Sequence, residues 1–433
     1  MAVPGVELSA DPGLAGPALA FVLGGAALGT ISGLIPGLHA NNFALFLAGV
    51  APMIPGPPLL VGLAMLSAGV VHTFLDVVPA LALGVPDADM AAMALPGHRL
   101  VIEGRGREAL RLSAIGSGLA VLLAIPLAIP VTLAMVHAWP TLSANMTIVL
   151  GAVAAVLLAT EPSRFARVGG ALSFGLSAVL GYFTLDIATD SAPMALDGGD
   201  MLAPLFAGLF GAPVLIDAMG GAGVPRQRGS EITISRKMVL LPAAAGACAG
   251  AIVGYLPGVS SAIAAVIALL LIPNSGDRGF VIATSGVNTA NTIFALFALI
   301  ALGSPRTGVL VALNEARVPL NLPMLLGAVA LAAAIAFVLV LVVGDWYIEA
   351  VGSLDYTKLC LGVFALLIAL SFLFAGWVGV GVFVVSCVIG FIPVRFGAKR
   401  VHLMGIGNVL AVDQGLPLLE KGLSVGTSRL KLL

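Results

Sequence analysis

The chain has 433 residues, 60% of them hydrophobic and 9% charged, with a mean hydropathy of +1.12 and a net charge of −1. Soluble domains carry about 25% charged residues, so a chain this apolar cannot cover a water-facing surface. The composition excludes a soluble domain, and the near-zero net charge leaves no electrostatic footprint for nucleic acid.

The N-terminal stretch "MAVPGVELSADPG" has no basic region, so the first apolar run, from about Leu14, reads as a retained helix. That run ends in "GAALGTISGLIPG" (Gly25–Gly37) and is followed by Leu38, His39, Asn41 and Asn42. Proline removes a helical hydrogen bond and glycine loosens the next residue, so a helix break is predicted at Pro36–Gly37. Next comes "HTFLDVVPALALGVP" (His72–Pro86), then a basic loop with Arg99, Arg105, Arg107 and Arg111. Arg164 and Arg167 precede "FGLSAVLGY" (Phe174–Tyr182), and Leu185 to Met201 is acidic with no Lys or Arg. The polar segment Val224–Lys237 then divides the chain into a first unit, 1–223, and a second, 238–433.

The second unit repeats the order of the first. "GACAGAIVGYLPG" (Gly246–Gly258) matches Gly25–Gly37 and breaks at Pro257–Gly258, ahead of Ser260 and Ser261. "NTIFALFALIALGSP" (Asn291–Pro305) matches His72–Pro86, and "FVVSCVIGF" (Phe383–Phe391) matches Phe174–Tyr182. Three ordered blocks with placed prolines indicate an internal duplication. Cationic character changes sides between the copies. The acidic loop Leu185–Met201 has a basic counterpart in "VRFGAKR" (Val394–Arg400). The Arg164/Arg167 loop has a counterpart, Gly344–Lys358, with a single lysine. Because Lys and Arg favour cytoplasmic loops, this exchange predicts inverted-topology repeats with a cytoplasmic linker. The expected fold is an all-α polytopic membrane protein with broken or re-entrant helices and about 12–14 hydrophobic segments. The tail residues Lys421, Arg429 and Lys431 run against that sidedness.

In lipid, unpaired backbone groups are tolerated only when buried in protein or lining a wet cavity. The breaks at Pro36–Gly37 and Pro257–Gly258 therefore predict a cavity at membrane depth. Helix starts after each break favour anions through free N–H donors and a partial positive charge. His39, Asn41, Asn42, Ser260 and Ser261 add side-chain donors. The glycines before each break read as close-packing faces. His72 and Asp76 lie four apart on one helix face, a spacing that suits carrying protons or holding a cation. Thr73 and the repeat-side Asn288, Thr289, Asn291 and Thr292 add neutral oxygens that suit Na⁺ or a carboxylate. Asp87, Asp89 and Arg306 sit in turns, and Arg306 suits a carboxylate by its two-pronged geometry. The three cysteines and five histidines have no metal-ligand or disulfide spacing, and no nucleotide-binding, zinc-protease or serine-hydrolase motif is present.

The paired "GxxxGxxPG" blocks and "ALPGHRLVIEGRGREALRLSAIGSGLA" (Ala94–Ala120) resemble the large membrane subunit of the tripartite tricarboxylate transporters. The loop that carries the likeness reads Pro96, Gly97, then Glu103–Gly104–Arg105–Gly106 and Ala109–Leu110. Two features depart from the family pattern: "VVHTFLDVVP" replaces a Gly- and Ser/Thr-rich stretch, and His39, Asn41 and Asn42 replace smaller residues. The resemblance implies a plasma-membrane carrier for di- or tricarboxylates, coupled to Na⁺ or H⁺ and needing no other cofactor. It implies a small four-helix membrane partner and an extracytoplasmic substrate-binding protein, and the departures leave room for a stand-alone member. Its substrate-facing positions fall on Pro36–Gly37, Pro257–Gly258, the residues just after them and Asn288–Thr292. A passive channel with the broken helices as filter, or an intramembrane enzyme using His72 and Asp76 as acid and base, are the competing expectations.

Overall fold

The computed structural model describes residues 6–7, 11–36, 47, 56–84, 90, 94–185, 187, 192–193, 201–219, 224–228, 232, 234–256, 259–270, 272 and 276–405. They are almost entirely helical. In chain order the helices are α1 (Ala15–Leu34), α2 (Pro58–Leu75), α3 (Val77–Leu83), α4 (Ala94–Ile102), α5 (Gly106–Ala144), α6 (Met146–Ala159) and α7 (Arg164–Thr184). After these come α8 (Leu202–Phe206), a π-helical turn (Ala207–Gly211) and α9 (Ala212–Ala218). The series continues with α10 (Arg236–Tyr255), α11 (Ser261–Leu270), α12 (Gly276–Leu302), α13 (Gly308–Glu315), α14 (Leu322–Ser353) and α15 (Tyr356–Phe396), ending in a 3₁₀ turn, Arg400–Met404. Among the described residues one strand pairing joins Val6–Glu7 to Leu320–Asn321 in parallel. Among the described residues eight helices are long and apolar enough to cross a membrane, and three shorter apolar helices accompany them. The chain is a polytopic all-α membrane protein.

Both expected breaks occur. Helix α1 ends at Leu34, and Ile35 turns extended at φ −82°, ψ 114°. Helix α10 ends at Tyr255, and Leu256 does the same at φ −93°, ψ 116°. Each is the residue before a proline, whose ring disfavours the helical region for its predecessor. Gly84 and Gly303 end α3 and α12 with φ of 68° and 66°, at matching places in the two copies.

Helix α15 contains a turn that was not foreseen. Its 41 residues would run about 60 Å if straight, twice the ~30 Å hydrocarbon core. Gly376 adopts φ 62°, ψ −158°, a conformation that side chains other than glycine's hydrogen resist. Phe364 and Phe383 meet edge to face with ring centroids 5.7 Å apart, and Gly379 packs on the carbonyl of Ser371. These contacts are impossible along one straight helix. Helix α15 is a hairpin of two antiparallel arms.

The glycine faces pack as pairs in the same register. Gly25 and Gly29 lie on the backbone of Ala64 and Ala68 in α2, and a Cβ on Gly33 would stand 2.9 Å from Leu75 Cβ. In the second copy Gly246 lies on Ala283 of α12, Gly250 on Val287 and Ala290, and Gly254 on Phe294. The helices of each pair run parallel, with small residues letting the backbones touch.

Contacts between the two halves of the chain are reciprocal. Helix α5 packs on α12, while α14 packs on α2. Gly208, in the segment after the α6–α7 pair, seats on Phe383 and Ser386 of α15; Gly405, after the α15 hairpin, seats on Phe174 and Ser177 of α7. One face gathers the ends of several elements. Arg278 at the start of α12 and Arg105 bond Glu108 in the first turn of α5, at 2.7 and 2.6 Å. Arg107 pairs with Glu349 and Asp345 near the end of α14. His98 donates from Nδ1 to the Leu81 carbonyl at the end of α3, 2.7 Å away. Gln227 of the linker accepts from Gly106 N at 2.7 Å. This arginine-rich face thus holds the starts of α5 and α12 and the ends of α3 and α14.

Candidate functional site

The two most buried spans, Pro58–Leu83 and Gly276–Leu302, cross at the centre of the molecule. Their polar residues meet there. His72, Thr73, Asp76, Asn288, Thr289, Asn291 and Thr292 are all buried, with Asp76 only 5% exposed. Asn288 Nδ2 donates to Asp76 Oδ2 at 2.6 Å and also touches Met90 Sδ at 3.6 Å. The hydroxyls of Thr73 and Thr289 stand 3.5 Å apart. Asp76 is not mid-helix as its spacing from His72 implies: it sits at the junction where α2 stops and α3 begins. Asn291 Oδ1 and Thr284 Oγ1 are buried without a hydrogen-bond partner among the described residues.

The breaks lie beside this cluster. Ser32, in the last turn of α1, shares a 2.9 Å hydrogen bond with His72 Nδ1. Gly33 abuts His72 O and Asp76 N, so the first break stands level with His72–Asp76. That is about two helical turns, roughly 12 Å, from the end of α3 on the arginine-rich face. Gly254 abuts Phe294, which places the second break about 12 Å from the opposite end of α12. Depth measured from opposite faces is therefore alike. Pro36 is buried at the first break. Beyond the second break, Ser260 caps α11 through Oγ, accepting from Ile263 N at 3.3 Å. Ser261 is fully buried and its hydroxyl has no partner. Gly37, Leu38, His39, Asn41, Asn42, Asp87, Asp89, Pro257 and Gly258 lie outside the described residues.

Arg306 stands apart from the residues it was grouped with. It follows α12, about three turns beyond Asn291 on a 1.5 Å rise, with its guanidinium over the Trp139 ring at 4.7 Å. Burial pushes it down to about 10, so it stays cationic at neutral pH.

Three polar contacts had escaped the reading of the sequence. Ser32 is hidden among seam glycines. Tyr255, fully buried, hydrogen-bonds Thr132 of α5 and pins the end of α10 just before its break. A separate ionic cluster joins Glu161, between α6 and α7, to His402 Nε2 at 2.8 Å and to the Lys399 amide at 3.0 Å. Burial lowers the His402 pKa, outweighing the opposing pull of Glu161. No short-range spacing announces a pair so distant in sequence.

The model of the tripartite tricarboxylate transporter TctA family matches residues 19–405. An uncharacterized protein of Methanocaldococcus jannaschii is 23% identical over 347 residues, 79% of this chain and 84% of that protein. No solved structure matches the chain.

Proposed function

The chain belongs to the tripartite tricarboxylate transporter TctA family, and on that premise we propose that it moves a di- or tricarboxylate by alternating access, coupled to Na⁺ or H⁺. Membership makes it a permease of the tricarboxylate-transporter type, a multi-pass protein of the kind usually found in the plasma membrane, and implies partner subunits. A transporter family points away from catalysis. We assign as partners a small four-helix membrane subunit and an extracytoplasmic substrate-binding protein.

The observation that carries the reading is the Asp76–Asn288 hydrogen bond between the two copies, in a buried polar patch beside both helix breaks. The proposed binding residues are those around Pro36–Gly37 and Pro257–Gly258 (Leu38, His39, Asn41, Asn42, Ser260 and Ser261) with Asn288 and Asn291. His72, Thr73, Asp76, Thr289 and Thr292 would hold the coupling ion. The physical logic is charge balance. A polycarboxylate entering a low-dielectric centre is stabilised by helix-start amides. A carboxylate at Asp76's depth adds further negative charge, which a co-bound cation offsets or a proton removes. Binding the cation first therefore favours binding the anion, which is coupling by linkage.

Inverted repeats fit this scheme, since they place two such helix starts face to face. The support is polarity: α12 starts at the arginine-rich face where its counterpart α2–α3 ends. Likewise α5 starts where α14 ends. Positive charge assigns that face to the cytoplasm.

The test is uptake of radiolabelled citrate and related carboxylates into proteoliposomes, under imposed Na⁺ or pH gradients, with and without a partner binding protein. Gradient-driven accumulation is expected, and Gly37→Val or Gly258→Val abolishes it while expression persists. Downhill flux that no gradient can concentrate would instead identify a passive channel.

A further inference from the structure

Arg306 has chemistry to spare. Its Nε and Nη2 are shut off from solvent and have no hydrogen-bond partner among the described residues. Among the described residues no carboxylate pairs with it. Those two nitrogens form the side-on edge of the guanidinium, the edge that meets a carboxylate with two parallel N–H···O bonds. The Trp139 face, 4.7 Å from the guanidinium carbon, stabilises the cation but offers nothing to this edge. The next residue repeats the pattern. Thr307 is the N-cap of α13, yet its hydroxyl caps no amide, and its Oγ1 is buried without a partner. A desolvated cation is costly unless compensated, and among the described residues no anion meets this edge, while the next residue adds a further buried hydroxyl donor. The position is the end of α12 remote from Asp277 and Arg278, which themselves join the arginine-rich face.

Resting on the carrier reading above, we propose that Arg306, its guanidinium stacked on Trp139, and the adjacent Thr307 form a second carboxylate site at the end of α12 opposite the arginine-rich face. It is separate from the Asp76–Asn288 centre. One carboxylate of the substrate takes the Nε/Nη2 fork and the Thr307 hydroxyl. A dicarboxylate docked there is held for transfer to the deeper centre. Phosphate, as a free ion or a lipid headgroup, can also meet the fork with two oxygens, so the test below sets it directly against citrate.

Trp139 supplies a direct readout. The chain has three tryptophans, and Trp346→Phe with Trp377→Phe leaves Trp139 as the sole emitter in the otherwise intact protein. Titrating citrate into that protein, reconstituted in phosphatidylcholine vesicles, is expected to change its emission saturably. Arg306→Gln should weaken the response at least about tenfold, and Arg306→Lys should weaken it too, because an ammonium lacks the fork. The site is overturned if Trp139 is silent to citrate, if Arg306→Gln responds like the parent, or if inorganic phosphate or anionic lipid matches citrate. The two readings fail separately. A silent Trp139 with persistent citrate uptake removes this site and leaves the carrier. A responsive Trp139 without uptake of any carboxylate keeps the site and removes the carrier.

Discussion

Asp76 and Asn288 make the most specific residue-level contact between the copies, and its consequences can be separated by substitution. Asp76→Asn keeps shape but removes charge, so uptake should persist downhill and stop following the ion gradient; normal coupling in that variant would take Asp76 out of the ion site. Gly29 tests packing. A side chain there meets the backbone of Ala68, and overpacking of this kind costs about 1–3 kcal/mol. Gly29→Val should lower the detergent melting temperature, whereas Gly24→Ala, where a Cβ meets nothing within 4 Å, should not. His402 tests pH. Its pKa is lowered from 6.5 in the folded protein, so the unfolded chain takes up the proton first. That group costs no stability above pH 6.5 and costs progressively more as pH falls below it. Melting measured down to pH 5 should show the loss, and His402→Gln should flatten it. The polar types at 72–76 and 288–292 were legible in the sequence as functional candidates. Their partners were not, because Ser32, Met90 and Glu161 find theirs through tertiary packing that no local spacing encodes.

At the scale of elements, the sequence carried the breaks because proline and its predecessor obey local rules. It did not carry the α15 turn, since "FLFAGWVGVGVF" (Phe372–Phe383) has no proline and reads as one apolar run. Only bilayer thickness argues against a single span. Gly376 is the residue on which the hairpin depends. Gly376→Ala forces a side chain into φ 62°, at a cost of about 1–3 kcal/mol, and thermal unfolding in detergent would register it. The junction at Asp76 was likewise unreadable. It interrupts the helix with a mild change, φ −58° and ψ −24°, and no glycine or proline marks the residue itself.

For the whole molecule, the duplicated blocks and the exchange of cationic loops were visible in the sequence. The reciprocal seating of Gly208 and Gly405 was not, because it depends on which copy each segment reaches. If the copies are inverted, a cysteine at Glu7 should react with an impermeant thiol reagent added outside, and one at Gln227 only after permeabilisation; labelling of both from one side would refute the inversion. The reciprocal packing has a consequence for how such a chain came to exist. If the halves are inverted repeats, their reciprocal seating on one another means that a half-length ancestor would have worked only as a pair, inserted in both directions by a nearly neutral charge bias. Fusion would then free each half from that constraint, and the arginines of His98–Arg111, whose counterpart Arg317–Ala330 keeps a single one, are what such a release would let accumulate.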